Sequence, residues 1–233
     1  MKRWVFAVIL LLCCAVTVGR AAESRLGPDA IHITTRKHVL DNGLTVLITE
    51  MPASHSVSLY AMIKTGSVME GAFLGAGMTH FVEHMLFKGT EKRAVGDISG
   101  EIQAMGGSIN ASTSFDYTVY TITVPAPAFD KALEVLADML TGARFDPEEL
   151  EKEREVIIKE IRLRNDWPGY ALGQAVLETV YTLHPYRIPI IGYEDLFKKV
   201  SREALLNYYR GFYTPNNMIF SVAGAVQAQE ALA

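Results

Sequence analysis

The chain has 233 residues, 49% of them hydrophobic, which is enough for one large or two small domains with a sizeable core. Its 22 basic and 26 acidic side chains form no block of like charge, which argues against a nucleic-acid surface or a partner held by electrostatics alone. The two cysteines, Cys13 and Cys14, lie in the first apolar run, so the rest of the chain has no disulfide framework, thiolate nucleophile or thiolate metal ligand.

Lys2 and Arg3 precede an apolar run from Trp4 to Val18, and Gly19-Arg20-Ala21-Ala22 follows with small residues suited to a signal peptidase. Residues 1–21 are therefore expected to be a signal peptide that directs the chain to the periplasm or the cell exterior. The run is short for a membrane span, which makes an uncleaved anchor the weaker alternative, and no stable membrane insertion is expected once it is cleaved. Cleavage leaves 19 basic and 26 acidic groups, a formal charge of −7, with no cysteine. Residues 22–31, with Gly27 and Pro28, read as a linker.

From Ile31 the pattern becomes extended. Ile33, Thr35, Val39 and Leu40 lead to Asp41-Asn42-Gly43 and then to Leu44-Thr45-Val46-Leu47-Ile48-Thr49, a hairpin signal because Asn and Gly tolerate positive φ. Val57 to Ile63 is a third strand, and the three are expected to begin an antiparallel sheet. A loop over Ser67–Leu74 precedes a helix that carries His80, Glu83 and His84 and ends near Gly89. A helix over Val95–Met105 stops at Gly106-Gly107, and extended segments follow over Ser108–Ser114 and Tyr117–Val124.

Phe129, Leu133, Leu136 and Leu140 recur at helical spacing. Asp146-Pro147-Glu148-Glu149 then starts another helix with an N-cap, a first-turn proline and acids at its positive end, and that helix runs to about Asn165. After Trp167-Pro168-Gly169 come a helix over Tyr170–Tyr181, a proline-rich loop at His184–Pro189, a capped helix over Ser201–Tyr209 and a last strand over Asn217–Gly224. Uneven alternation with hairpins points to an α+β layered sandwich rather than a doubly wound parallel sheet. His32, His38 and His55 are isolated and expected to be exposed.

His80 and His84 are four apart, so on a helix both imidazoles can reach one ion, and Glu83, on the same side, can hold a water against it. This metallohydrolase pattern needs a third ligand from elsewhere. The helix after Asp146 carries Glu148, Glu149, Glu151, Glu153, Glu155 and Glu160, most of which read as a solvated acidic face balanced by Lys152, Arg154 and Lys159. Glu153 and Glu160, seven apart, share a face with the apolar stripe Leu150, Ile157 and Ile161, where a carboxylate is costly unless a cation meets it.

The chain resembles the inverzincin peptidases, a family that includes pitrilysin, insulin-degrading enzyme and the mitochondrial processing peptidases. Three stretches carry the resemblance: His80-Phe81-Val82-Glu83-His84 with Glu160 standing 76 residues beyond His84 and Glu153 seven before Glu160; Gly106-Gly107-Ser108-Ile109-Asn110-Ala111; and Tyr213-Thr214-Pro215-Asn216-Asn217-Met218. It spans about residues 37–226, and Arg187 departs from it where relatives often have glycine.

The resemblance implies an antiparallel or mixed sheet with helices packed on one face, forming the first half of a duplicated subunit. It implies one Zn2+ per chain held by His80, His84 and Glu160, with Glu83 as general base and Glu153 orienting the site. Asn110 and Ala111 fall where the family adds a peptide backbone to a sheet edge. Residues 32–190 are then a catalytic domain, and residues 191–233 the end of the first repeat and the start of a truncated C-terminal domain. The expected activity is that of an exported zinc metalloendopeptidase acting on short or unfolded peptides, with a C-terminal half in cis or a second peptidase-like subunit as partner. The alternative is a non-catalytic module that binds peptides or assembles with a partner on the same fold.

Overall fold

A computed structural model describes residues 33–232, so the expected leader at 1–21 and the linker at 22–31 lie outside the described residues. The hairpin forms as expected. Strands β1 (Thr35–Val39) and β2 (Thr45–Glu50) pair antiparallel across a turn in which Gly43 has φ 86° and the Asn42 side chain accepts the Leu44 N–H. The third strand, β3 (Ser56–Ile63), does not continue that meander. The last strand, β6 (Met218–Gly224), lies between them, parallel to β2 and antiparallel to β3. Strands β5 (Thr118–Pro125) and β4 (Ser108–Thr113) complete a six-stranded mixed sheet in the order β1-β2-β6-β3-β5-β4, with β4 at one edge.

Alternation along the strands gives the sheet one dry face. Val46, Ile48, Val57, Leu59, Ala61, Ile63, Tyr120, Ile122 and Val124 are buried, while the opposite face carries hydroxyls such as Ser58 and Thr123, bonded to each other at 3.0 Å. The dry face is covered by α1 (Met78–Met85), α2 (Asp97–Ala104), α3 (Phe129–Thr141), α4 (Pro147–Asp166) and α7 (Arg202–Phe212), whose apolar stripes join the same core. Helices α5 (Pro168–Val180), α6 (Glu194–Phe197) and α8 (Ala228–Ala231) complete the described chain.

Asp146 caps α4 by accepting the Glu148 and Glu149 N–H groups, and Leu150, Ile157 and Ile161 form the buried stripe read from the sequence. Arg154, expected on the solvated face, is instead buried and donates to the Phe197 and Val200 carbonyls, fastening α4 to the end of α6 and the turn that follows it. His38 is half-buried, His55 is exposed, and His32 lies outside the described residues. After α5 the chain makes a short turn, Pro185–Arg187, in which Arg187 donates to the Thr182 carbonyl at 2.8 Å.

The start of α1 is set by a close backbone approach. Gly77 has φ 66°, and a Cβ there would sit 2.2 Å from the Ile191 carbonyl oxygen, so glycine is required both for the left-handed conformation and for the space. No side chain at Gly77 can cap the helix, and the function passes to Glu70, which is buried and accepts the Thr79 N–H at 3.0 Å. Burial pushes the Glu70 carboxyl up to about 7, against the hydrogen bonds from Thr79, Gly77 and Gly75 that favour its charged form.

Gly77→Ala should cost at least about 2 kcal/mol of stability in urea unfolding, combining left-handed strain with the clash. Because the folded Glu70 titrates above its ordinary value of 4.5, its contribution is fully present below that value and is lost as pH rises through about 7. Glu70→Gln should therefore leave the thermal midpoint near that of the parent at pH 5 and raise it above the parent at pH 8. An equal loss at both pH values would contradict the raised titration.

Candidate metal centre

The motif helix α1 is short and buried on nearly every side, with Met78, Phe81, Val82 and Met85 in the core. His80, Glu83 and His84 share the side that faces α4 and the edge strand β4. His80 Nε2 and His84 Nε2 stand 3.3 Å apart. The Glu160 carboxylate, on α4, approaches to 3.9 Å from His80 Nε2 and 3.6 Å from His84 Nε2. One ligand atom from each of the three lies within 4.8 Å of the others, so the residues that the family resemblance implies as ligands stand together.

The donor set and its spacing fit zinc. Two nitrogens bound at about 2.0–2.1 Å to one tetrahedral ion are themselves about 3.3 Å apart, and the imidazoles already have that separation. A carboxylate only accepts, so Glu153 Oε1, 2.8 Å from His84 Nδ1, places the proton on Nδ1 and turns the Nε2 lone pair toward His80. His80 is oriented differently. Its Nδ1 has no hydrogen-bond partner among the described residues, so no bond at that nitrogen fixes the ring. Burial, with help from the neighbouring His84 and Arg164, keeps His80 well below the ordinary imidazole range, and hence neutral and able to ligate.

Glu83 is buried and its carboxyl is raised by that burial, while a short hydrogen bond from the Thr113 hydroxyl favours the charged form. Thr113 ends β4, so the edge strand and the candidate base are directly linked. Glu153 is buried between His84 and Lys88, whose Nζ lies 2.5 Å from Oε2. Burial alone would raise its carboxyl, but the bonds to His84 and Lys88 outweigh it and hold it below the ordinary range.

A cleft of about 300 Å³ opens between α1 and β4, lined by Glu83, His84, Phe87, Lys88, Asn110 and Glu153 among others. Asn110 is exposed and Ala111 half-buried on β4, and the Ala111 N–H is taken by the Asn110 side-chain oxygen at 2.9 Å rather than by β5. That donor therefore points off the sheet edge. A larger hollow of about 420 Å³, bounded by Tyr170, Gln174, Glu178 and Tyr193, holds none of the candidate residues.

All seven residues singled out by sequence are thus drawn to one region. Thr113, Lys88 and Arg164 were not singled out, although each contacts a residue that was. Lys88 had a visible signal, being four residues beyond His84 in a stretch the sequence pattern reads as helical, although α1 ends at Met85. Thr113 had none, because its contact depends on how β4 lies against α1.

Residues 45–194 match the family described as Insulinase (Peptidase family M16), and residues 199–233 match the Peptidase M16 inactive domain. Over 191 residues the chain is 34% identical to the uncharacterized zinc protease YmxG of Bacillus subtilis (strain 168), covering 82% of this chain and 46% of that protein. The crystal structure of a protease from Helicobacter pylori is similar with a TM-score of 0.80 at 29% identity, covering 86% of this chain and 48% of that one. The first half of the periplasmic protease PqqL from Escherichia coli is similar with a TM-score of 0.78 at 30% identity, covering 85% of this chain and 44% of that one. The chain spans about half the length of the curated relatives it matches. With the first of these matches running from β2 past the metal cluster to the start of α6, the chain belongs to the insulinase family of peptidases.

Proposed function

We propose that this chain is the zinc-binding, catalytic half of an exported metalloendopeptidase that hydrolyses peptide bonds in short or unfolded peptides. The observation that carries the reading is the pair of Nε2 atoms 3.3 Å apart, converging with Glu160 beside the buried carboxylate of Glu83. Zinc bound there supplies a Lewis acid for the scissile carbonyl and lowers the pKa of water. His80 and His84 hold the ion as neutral imidazoles, and Glu160 adds one negative ligand.

Glu83 accepts the proton of the attacking water and returns it to the departing amine. Glu153 fixes the His84 tautomer through Nδ1, and Lys88 offsets the charge that Glu153 brings. An extended peptide adds to the β4 edge, displacing the Asn110 side chain from the Ala111 N–H and pairing through its own main chain, which makes binding tolerant of sequence. Flat, sequence-tolerant pairing suits unfolded chains better than folded ones.

Residues 1–21 act as the export signal in this reading, residues 32–190 as the catalytic domain and residues 191–233 as the passage into a C-terminal domain. The length of the relatives supports a second half, in cis or as a second peptidase-like subunit, that completes the grip on substrate. The periplasmic neighbour supports export. Among the described residues no helix is long and apolar enough to cross a membrane.

The protein, assayed with and without a supplied C-terminal half, should bind about one zinc and cleave a quenched fluorescent peptide pool. Chelation should abolish cleavage and added zinc restore it. Glu83→Gln should lower kcat roughly 100-fold or more with zinc content unchanged; cleavage that survives this substitution sinks the mechanism, and zinc-loaded protein inactive even with its second half favours a peptide-binding module. Thr113→Val removes the donor that favours the charged form of Glu83, so the acid limb of kcat/KM should move to higher pH, while Thr113→Ser should restore it. An unmoved limb would show that Thr113 does not set the base.

A further inference from the structure

Glu160 is held by a cation as well as aimed at the imidazoles. Arg164, one turn further along α4, donates to Glu160 Oε1 from both Nη2 at 2.6 Å and Nε at 3.0 Å. A guanidinium usually spreads its parallel donors over the two oxygens of a carboxylate, but here both fall on one. A carboxylate oxygen offers about two lone-pair sites, so Oε1 is filled. Both oxygens face the imidazoles, Oε1 at 3.9 Å from His80 Nε2 and Oε2 at 3.6 Å from His84 Nε2, but Oε2 receives no hydrogen bond from the described residues. The guanidinium is in turn steadied by Tyr170 of α5, its carbon lying 5.9 Å from the ring centre.

We propose that Arg164 is a positioning residue that makes Glu160 a one-oxygen ligand, its two hydrogen bonds taking up the lone pairs of Oε1 and leaving those of Oε2 for the metal. This rests on the metal centre proposed above and adds to it a cause for the open fourth position. Two imidazoles and one carboxylate oxygen leave a place on a tetrahedral ion, whereas a carboxylate gripping through both oxygens takes up the space a water needs. Lysine could supply the charge but not two donors in a fixed fork, so arginine is required for the geometry.

Cobalt(II) loaded in place of zinc tests this without any turnover, because a four-coordinate cobalt ion absorbs visible light much more strongly than a five- or six-coordinate one. In the full chain, Arg164→Ala should weaken the visible bands and lower zinc affinity about tenfold to a hundredfold in chelator competition. Arg164→Lys should recover part of the affinity and leave the bands weak. Arg164 lies in the last turn of α4 with its side chain 39% exposed, so folding should persist, and circular dichroism checks it. Unchanged bands and affinity in Arg164→Ala, beside loss of both in Glu160→Gln, overturn the role of Arg164 alone. A parent protein with no saturable cobalt spectrum overturns the metal centre itself, and this inference with it.

Discussion

A helix of eight residues buried on nearly every side cannot meet its own polar groups, since most of its N–H and C=O positions lie at one end or the other. Apart from His80 Nδ1, the polar side chains of α1 and its first free N–H are met from different parts of the fold. Glu70 takes the Thr79 N–H, Tyr208 of α7 pairs with the Thr79 hydroxyl at 2.6 Å, Glu153 of α4 takes His84, and Thr113 of β4 takes Glu83. The contacts that allow α1 to be buried are the same ones that aim its side chains. Fold and site thus share one polar network rather than a scaffold with a site placed on it.

The exit from α1 is secured by a second network built on Arg93. This residue is buried and pairs with Asp138 at 2.7 Å and with Glu101 and Glu134 at 2.9 Å, while Thr90 donates to Asp138 at 2.6 Å. A buried guanidinium is tolerated only when its donors are used, and here they tie the turn after α1 to both α2 and α3. Burial would raise the Asp138 carboxyl, but the bonds from Thr90 and Arg93 prevail and hold it low. The turn fixed in this way carries Lys88 to Glu153, so a structural clip on one side of the helix sets the charge balance on the other.

Local patterns made the elements legible. Asn42-Gly43 marked a hairpin, Asp146-Pro147 marked a helix start, and the apolar stripe of α4 is buried where its spacing put it. The metal cluster was legible because two of its members sit one helical turn apart and the third lies at a spacing shared with a known family. What could not be read depends on contacts between elements distant in sequence. The place of β6 between β2 and β3 is one case, since alternation gives a strand its faces but not its neighbours. Arg154 is another: it looked like one charge among many on an acidic helix, and only the carbonyls of Phe197 and Val200 explain its burial.

The position of β6 also governs the order in which the sheet can close. Its strand lies more than 150 residues beyond β3, to which it pairs, and further still from β2. Until residues 218–224 have left the ribosome, the β1-β2 hairpin and the β3-β5-β4 sheet have no strand to join them, and each presents an open edge. Such long-range pairing makes folding slow and leaves those edges open to other chains in the interval. A strand that carries none of the candidate metal ligands is thus the piece whose arrival unites the sheet on which they rest.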